Sequence, residues 1–307
     1  MEKITFHGHQ VTRWQLGDST FLAMPELGAR LMRWQIAPTG GATREVIYWP
    51  DSEQAAAFPE IHGGNPVLFP FSGRCYDKGE IFFWRDPDGT RRAIPIHGIA
   101  RQSKFDVTRC DANGFTAQLL PGDESRAIYP YNFEFAVTYR FEPRRLVCEY
   151  SLHNLDTRPL PWSAGHHFYF AIPWDKNLSR GDYKIHIPAA KTLKPDYANG
   201  QLKPGPVTEQ EMSLDDPRIT ATYHAALTNN AVTFGPKNSP GKVTVKLGAD
   251  KLPPDGAIFT TWTLDDKAPY FCIEPWMGPA NAPDHGIGLH KVPPGQTQIF
   301  TVEVGVE

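Results

Sequence analysis

The sequence predicts an all-β protein, a large antiparallel β-sandwich, from three features. Large apolar residues alternate with period two in many short runs, turn signals separate those runs, and helical periodicity is scarce. The plainest run is Phe133-Glu134-Phe135-Ala136-Val137-Thr138-Tyr139-Arg140-Phe141, apolar and large at every odd position. Successive strand side chains point to opposite faces, so such a run buries one face and wets the other.

The same pattern recurs along the chain. Leu146, Cys148, Tyr150 and Leu152 alternate with Val147, Glu149, Ser151 and His153, and Tyr183, Ile185 and Ile187 alternate with Lys184 and His186. Phe300, Val302, Val304 and Val306 form the last such run. Turns are expected at Asp88-Gly89, Ala112-Asn113-Gly114, Glu142-Pro143, Ser239-Pro240-Gly241 and Pro293-Pro294-Gly295. One short capped helix is expected over residues 51–57, and the Pro-rich segment 202–217 reads as a long surface loop. The 29 prolines and 26 glycines are spread evenly, which leaves no linker and predicts one domain over 1–307.

Composition narrows the function. A hydrophobic content of 40% with 21% charged residues suits a globular chain, and no apolar run approaches the ~20 residues that cross a bilayer. The first residues lack a secretory pattern, so a cytoplasmic protein without a membrane partner is expected, monomeric or homodimeric. A net charge of -3 with scattered Lys and Arg argues against a nucleic-acid partner. Cys75, Cys110, Cys148 and Cys272 are widely spaced with no CxxC, which predicts buried thiols rather than a zinc site.

Chemistry concentrates in a few segments. In Tyr270-Phe271-Cys272-Ile273-Glu274-Pro275-Trp276 a single acid sits in an apolar and aromatic strand, where an ionised carboxylate is costly unless something uses it. The plain alternative is an edge-strand Glu facing water, since Pro275 limits pairing. Trp162-Ser163-Ala164-Gly165-His166-His167-Phe168-Tyr169-Phe170 sets two histidines among aromatics. Strand geometry sends them to opposite faces, His167 with Tyr169 and His166 with Phe168 and Phe170, so the pair does not readily share one metal. In the segment 63–74, glycines and two prolines make a rigid, close-approaching loop that ends at Arg74, otherwise a surface Arg after a turn. His97 in Ile96-His97-Gly98-Ile99-Ala100-Arg101 reads on its own as a structural histidine.

The ordered set NPVLFPFSGR from Asn65 to Arg74, HGIAR from His97 to Arg101, GHHFYF from Gly165 to Phe170 and CIEPW from Cys272 to Trp276 resembles the aldose 1-epimerase (galactose mutarotase-like) family, including its hexose-6-phosphate mutarotase relatives. The resemblance implies the same large antiparallel sandwich and a sugar or sugar phosphate as substrate, with no cofactor or metal. It further implies Glu274 as general base and His167 as general acid, with Arg74 and His97 holding sugar oxygens. Arg101, Asn65 and Tyr169 are added as substrate-binding candidates. Phe168 stands where many relatives carry proline. The sugar-binding Asp of galactose mutarotases has no match in Thr222-Tyr223-His224-Ala225-Ala226-Leu227, and His224 is the candidate for its place. Interconversion of α and β anomers needs one base at the anomeric hydroxyl and one acid at the ring oxygen. A non-catalytic sugar-binding module of the same fold needs neither Glu274 nor His167. A glycosidase needs a carboxylate pair, for which Glu80, Asp86 and Asp88 lie in turn-like sequence without an aromatic setting.

Overall fold

The alternating runs become strands at the expected places. Phe133–Glu142, Arg145–Asn154 and Thr297–Val306 pair antiparallel, and Tyr150 stands opposite Val137 on one side and Phe300 on the other. The structure, a computed structural model, describes residues 1–38, 40–51, 55–239, 241–248 and 254–307.

Two large antiparallel sheets face each other. The nine-stranded sheet runs from Phe105–Asp111 through the three strands above to Val243–Leu247, Ala231–Pro236, Tyr183–His186 and Glu211–Ser213, with Gly114–Leu119 second in the order. The thirteen-stranded sheet starts with four consecutive strands, Glu2–Phe6 to Arg30–Ile36, and continues through Arg44–Ile47. It then passes to Phe168–Ala171, Tyr270–Trp276, Ile258–Trp262, Thr222–Leu227, Ala189–Pro195 and Leu202–Pro204. Gly165–His166 and Val67–Leu68 attach beside Tyr270–Trp276. Strands far apart in sequence thus become neighbours at the middle of this sheet.

The inner faces meet in one buried cluster that includes residues from Trp14 to Val306. Aromatic pairs bridge the layers: Phe21 with Phe141 at 4.5 Å between ring centroids, Phe69 with Phe135 at 3.9 Å and Phe170 with Phe234 at 5.1 Å. Offset aromatic contacts add roughly 0.5–1.5 kcal/mol per pair beyond area burial. They fix how the sheets sit on one another.

Some local expectations change. The helix expected over 51–57 falls partly on residues 52–54, outside the described residues, and Ala55–Glu60 is a 3-10 turn. Short α-helices form instead at Asp123–Ile128, where Asp123 and Glu124 suit the positive N-terminal end, and at Ala282–His285. The segment 202–217 is not a plain loop, since Leu202–Pro204 and Glu211–Ser213 extend the edges of the two sheets. The turn at Ser239-Pro240-Gly241 includes residue 240, outside the described residues. Cys75, Cys148 and Cys272 are buried and Cys110 is half-buried, all four as free thiols. Among the described residues no helix is long and apolar enough to cross a membrane.

Phe141 is 1% exposed and touches Phe21, Trp14, Phe115 and Tyr139. Phe141→Ala is expected to lower unfolding free energy by about 3–5 kcal/mol in a denaturant titration, with the m-value unchanged. A loss below about 1 kcal/mol would contradict this account of the sheet interface.

Candidate active site

A row of side chains crosses the outer face of the larger sheet. Tyr223 pairs with Thr260, and Thr260 pairs with Glu274. The register Gly165↔Trp276 and Phe168↔Ile273 sets His167 opposite Glu274. All four side chains line a single open pocket. Glu274 is therefore not on an edge: its strand pairs on both sides, and Pro275 sits inside it, buried.

Glu274 is 2% exposed and His167 7% exposed, and Glu274 Oε2 lies 3.4 Å from His167 Nε2. This is ion-pair distance without hydrogen-bond geometry, and Oε2 has no hydrogen-bond partner among the described residues. Burial drives the Glu274 carboxyl well above its ordinary value of 4.5, opposed by the Trp276 indole. Burial also drives His167 well below 6.5, helped by the nearby His97, His62 and Arg30. Both shifts favour the uncharged forms, a carboxylic acid facing an imidazole. One proton moved between them makes a carboxylate facing an imidazolium, with no change in the total proton count. The pair titrates as a unit.

The expected split of the two histidines is what the sheet produces. His167 stacks on Tyr169 at 4.6 Å in the pocket, while His166 stacks on Tyr150 at 4.2 Å between the sheets. The His166 Nδ1 lies 3.0 Å from both Asn65 Nδ2 and Tyr150 Oη, and burial holds this ring neutral with a pKa of about 3. Asn65 Oδ1 accepts from the His167 backbone N–H at 2.9 Å, and Asn65 Nδ2 donates to Tyr139 Oη at 2.7 Å. Asn65 does not line the pocket. It fixes the backbone between the histidines, which corrects its assignment as a sugar ligand.

His224 is a second correction. It pairs with Phe259, on the inner face, and its Nε2 is 2.9 Å from Thr261 Oγ1, so it stays out of the pocket. Tyr223, one residue earlier, faces the pocket instead. The one-residue shift follows from the strand's two-residue period.

The walls come from loops. His97 holds φ 67°, in the left-handed region, and the Gly73 N–H donates to its Nδ1 at 3.1 Å. Burial, with Arg101 and Arg74 nearby, lowers its pKa to about 3. The neutral ring therefore carries its proton on Nε2, a donor for a ligand oxygen. Arg74 reaches the pocket with its guanidinium 5.1 Å from the Tyr197 ring centroid. Arg101 lines the pocket too, but is tied to Pro59 O and Glu60 Oε1, each at 3.0 Å.

Sequence reasoning missed His62, Trp262, Tyr223 and Tyr197 as lining residues. His62 reaches the site because the buried Arg30 donates to Phe58 O at 2.8 Å and Gly63 O at 2.6 Å, gathering that segment. Trp262 lies opposite Cys272 on the strand next to that of Glu274, a neighbour that only the pairing of the strands brings in. Glu80, Asp86 and Asp88 do not line the pocket. Asp86, expected to be solvated, is buried and bound by Arg92 at 2.8 Å. The expectation of no metal-ligand set also changes: ligand atoms of His167, Cys272 and Glu274 lie within 4.8 Å of one another.

A family model described as aldose 1-epimerase matches residues 12–303. The chain belongs to the aldose 1-epimerase family. It is 25% identical over 249 residues to the chromosomal LacX protein of Lactococcus lactis subsp. lactis, covering 77% of this chain and 81% of that one. A galactose mutarotase-like protein from Clostridium acetobutylicum superposes with TM-score 0.78 at 18% identity, covering 100% of this chain and 98% of that one. A galactose mutarotase related enzyme from Lactobacillus acidophilus gives 0.76 at 22% identity, with 97% of each chain covered. At these identities the structural likeness carries the fold alone.

The buried pair of this epimerase-family site gives stability a defined pH signature. Unfolded, Glu titrates near 4.5 and His near 6.5, whereas in the folded pair burial holds the carboxyl well above 4.5 and the imidazole well below 6.5. The lowered His167 imidazole binds its proton later than an unfolded His as pH falls, so its contribution grows as pH rises towards 6.5. The raised Glu274 carboxyl holds its proton where an unfolded Glu has lost it, so its contribution falls as pH rises above 4.5. Glu274→Gln is expected to remove that fall, so its Tm should gain on the wild type as pH rises above 4.5. Parallel Tm curves for the two proteins would refute the raised carboxyl.

Proposed function

We propose that the protein is a mutarotase that interconverts the α and β anomers of a monosaccharide, with Glu274 as base and His167 as acid. The observation that carries the reading is the pair itself, a buried carboxyl and a buried imidazole 3.4 Å apart in one pocket. In its carboxylate–imidazolium form, Glu274 takes the proton from the anomeric hydroxyl while His167 gives one to the ring oxygen. The bond from the anomeric carbon to the ring oxygen breaks, leaving an open-chain aldehyde. Rotation about C1–C2 followed by the reverse transfers closes the ring on the other face and restores both groups. Each positioned transfer is worth roughly 10²–10⁴-fold.

The surroundings support that role. The His97 Nε2–H and the Arg74 guanidinium are donors for sugar oxygens, and Tyr169, Trp262 and Trp276 offer apolar planes to a pyranose face. A non-catalytic sugar binder has no need of a strained, buried acid/base pair. Glu274→Gln is expected to lose mutarotation, followed by polarimetry or proton NMR, while sugar binding stays within about tenfold. His167→Asn should lower kcat at least ~10²-fold, whereas His166→Asn should act mainly on stability. Near wild-type kcat in Glu274→Gln would sink the base assignment, and retained binding without turnover in the wild type would favour the sensor.

Free sugars fit this pocket better than phosphate esters. Of the two arginines that could hold a phosphate, Arg74 and Arg101, the second is already engaged by Glu60 and a carbonyl. Glucose and glucose 6-phosphate are expected to give kcat/KM values within about tenfold of each other, unaltered in ratio by Arg101→Ala. A marked phosphate preference that fades with added salt would instead assign a hexose-6-phosphate 1-epimerase.

A further inference from the structure

We propose that the pocket floor is also a binding site for one thiophilic divalent cation, zinc or cadmium, held by His167, Cys272 and Glu274, and that occupancy switches the enzyme off. The argument starts from strand geometry. Cys272 and Glu274 are two residues apart on one strand and so share its outer face, and His167 stands opposite Glu274 on the neighbouring chain segment. One ligand atom from each lies within 4.8 Å of the others. A tetrahedral zinc site with bonds of ~2.0–2.3 Å has edges of roughly 3.3–3.8 Å, so the side chains need to close by about 1 Å. Two of the three line the open pocket, which provides the entry path and an open fourth position for water.

The chemistry of the three groups suits a metal. Imidazole, thiolate and carboxylate together form an N, S, O donor set of the kind zinc takes. Cys272 is 0% exposed, Glu274 2% and His167 7%, and neither Glu274 Oε2 nor His167 Nδ1 has a hydrogen-bond partner among the described residues. Two anionic ligands neutralise a divalent cation, so binding replaces an awkward buried acid with a compensated centre. The Cys272 thiol and the Glu274 carboxyl each release a proton to solvent as the metal enters, so affinity rises with pH. The same occupancy takes the electron pair of Glu274 and the ring nitrogen of His167, the two groups assigned to proton transfer. Inhibition therefore rests on the mutarotase reading, whereas metal binding does not.

The test uses chelator-treated full-length protein and two readouts. Titration with Cd²⁺ should produce an ultraviolet thiolate-to-metal charge-transfer band that saturates at one metal per chain, and Zn²⁺ should displace it. Cys272→Ser should abolish the band and raise the Zn²⁺ concentration for half-inhibition of mutarotation at least tenfold. Cys272→Ala gives the same test if the serine variant folds poorly, with circular dichroism as the check. Sugar should compete with Zn²⁺, and a chelator should restore the full rate. A band that survives in both variants would place the metal at another of the free thiols, Cys75, Cys110 or Cys148, and overturn the site. Absence of any band in the wild type would overturn it as well. Zinc binding through Cys272 in a protein without mutarotase activity would sustain the site and reject the mutarotase reading.

Discussion

A carboxyl and an imidazole shut away from water on the middle of a sheet set the terms for the rest of this structure. Neither group is comfortable charged there alone, since an isolated buried charge loses its hydration without replacement. They face each other at 3.4 Å, and burial favours the uncharged form of each, a carboxylic acid facing an imidazole. Moving the carboxyl proton across the gap creates the base and the acid together, at no change in net charge. That is what a reaction needing one proton removed and one delivered requires of a site. His97 in the pocket and His166 behind it are likewise held uncharged by burial.

The pair stays in place because it is built on paired strands. Glu274 belongs to a strand bonded on both sides, and the His167 backbone N–H is held by Asn65. Asn65 also binds the Tyr139 hydroxyl and the His166 ring, so an inner-face network between the sheets locks the side chain that points outward. The aromatic contacts between sheets support this, with His166 lying against Tyr150 and Phe300 of the other layer. Rigidity at the pair thus comes from packing on the inner face of the sheet, away from the pocket.

The walls obey a different logic. Beside strand residues such as Trp262 they include loops whose positions depend on individual hydrogen bonds: Arg30 gathers the segment that carries His62, and Gly73 steers the His97 ring. Arg74 beside Tyr197 and Arg101 beside Glu60 belong to such loops. Under the proposed mutarotase reading, loops that carry Arg74 and His97 can vary without disturbing the paired strand that carries Glu274.

Alternation in residues such as Phe133–Glu142 and Thr297–Val306 determined the strands by itself, because a two-residue period is local and depends only on which face is apolar. The same rule separated His166 from His167, and an acid surrounded by aromatics marked Glu274. What sequence could not supply was which strand lies beside which. The meeting of His167, Thr260, Glu274 and Tyr223 in one row, and of Cys272 with the first and third of them, exists only after distant strands pair. The placement of His224 shows the limit: being one residue from the right position on a strand turns a side chain to the opposite face, and only the hydrogen-bond register of the folded sheet decides which face that is.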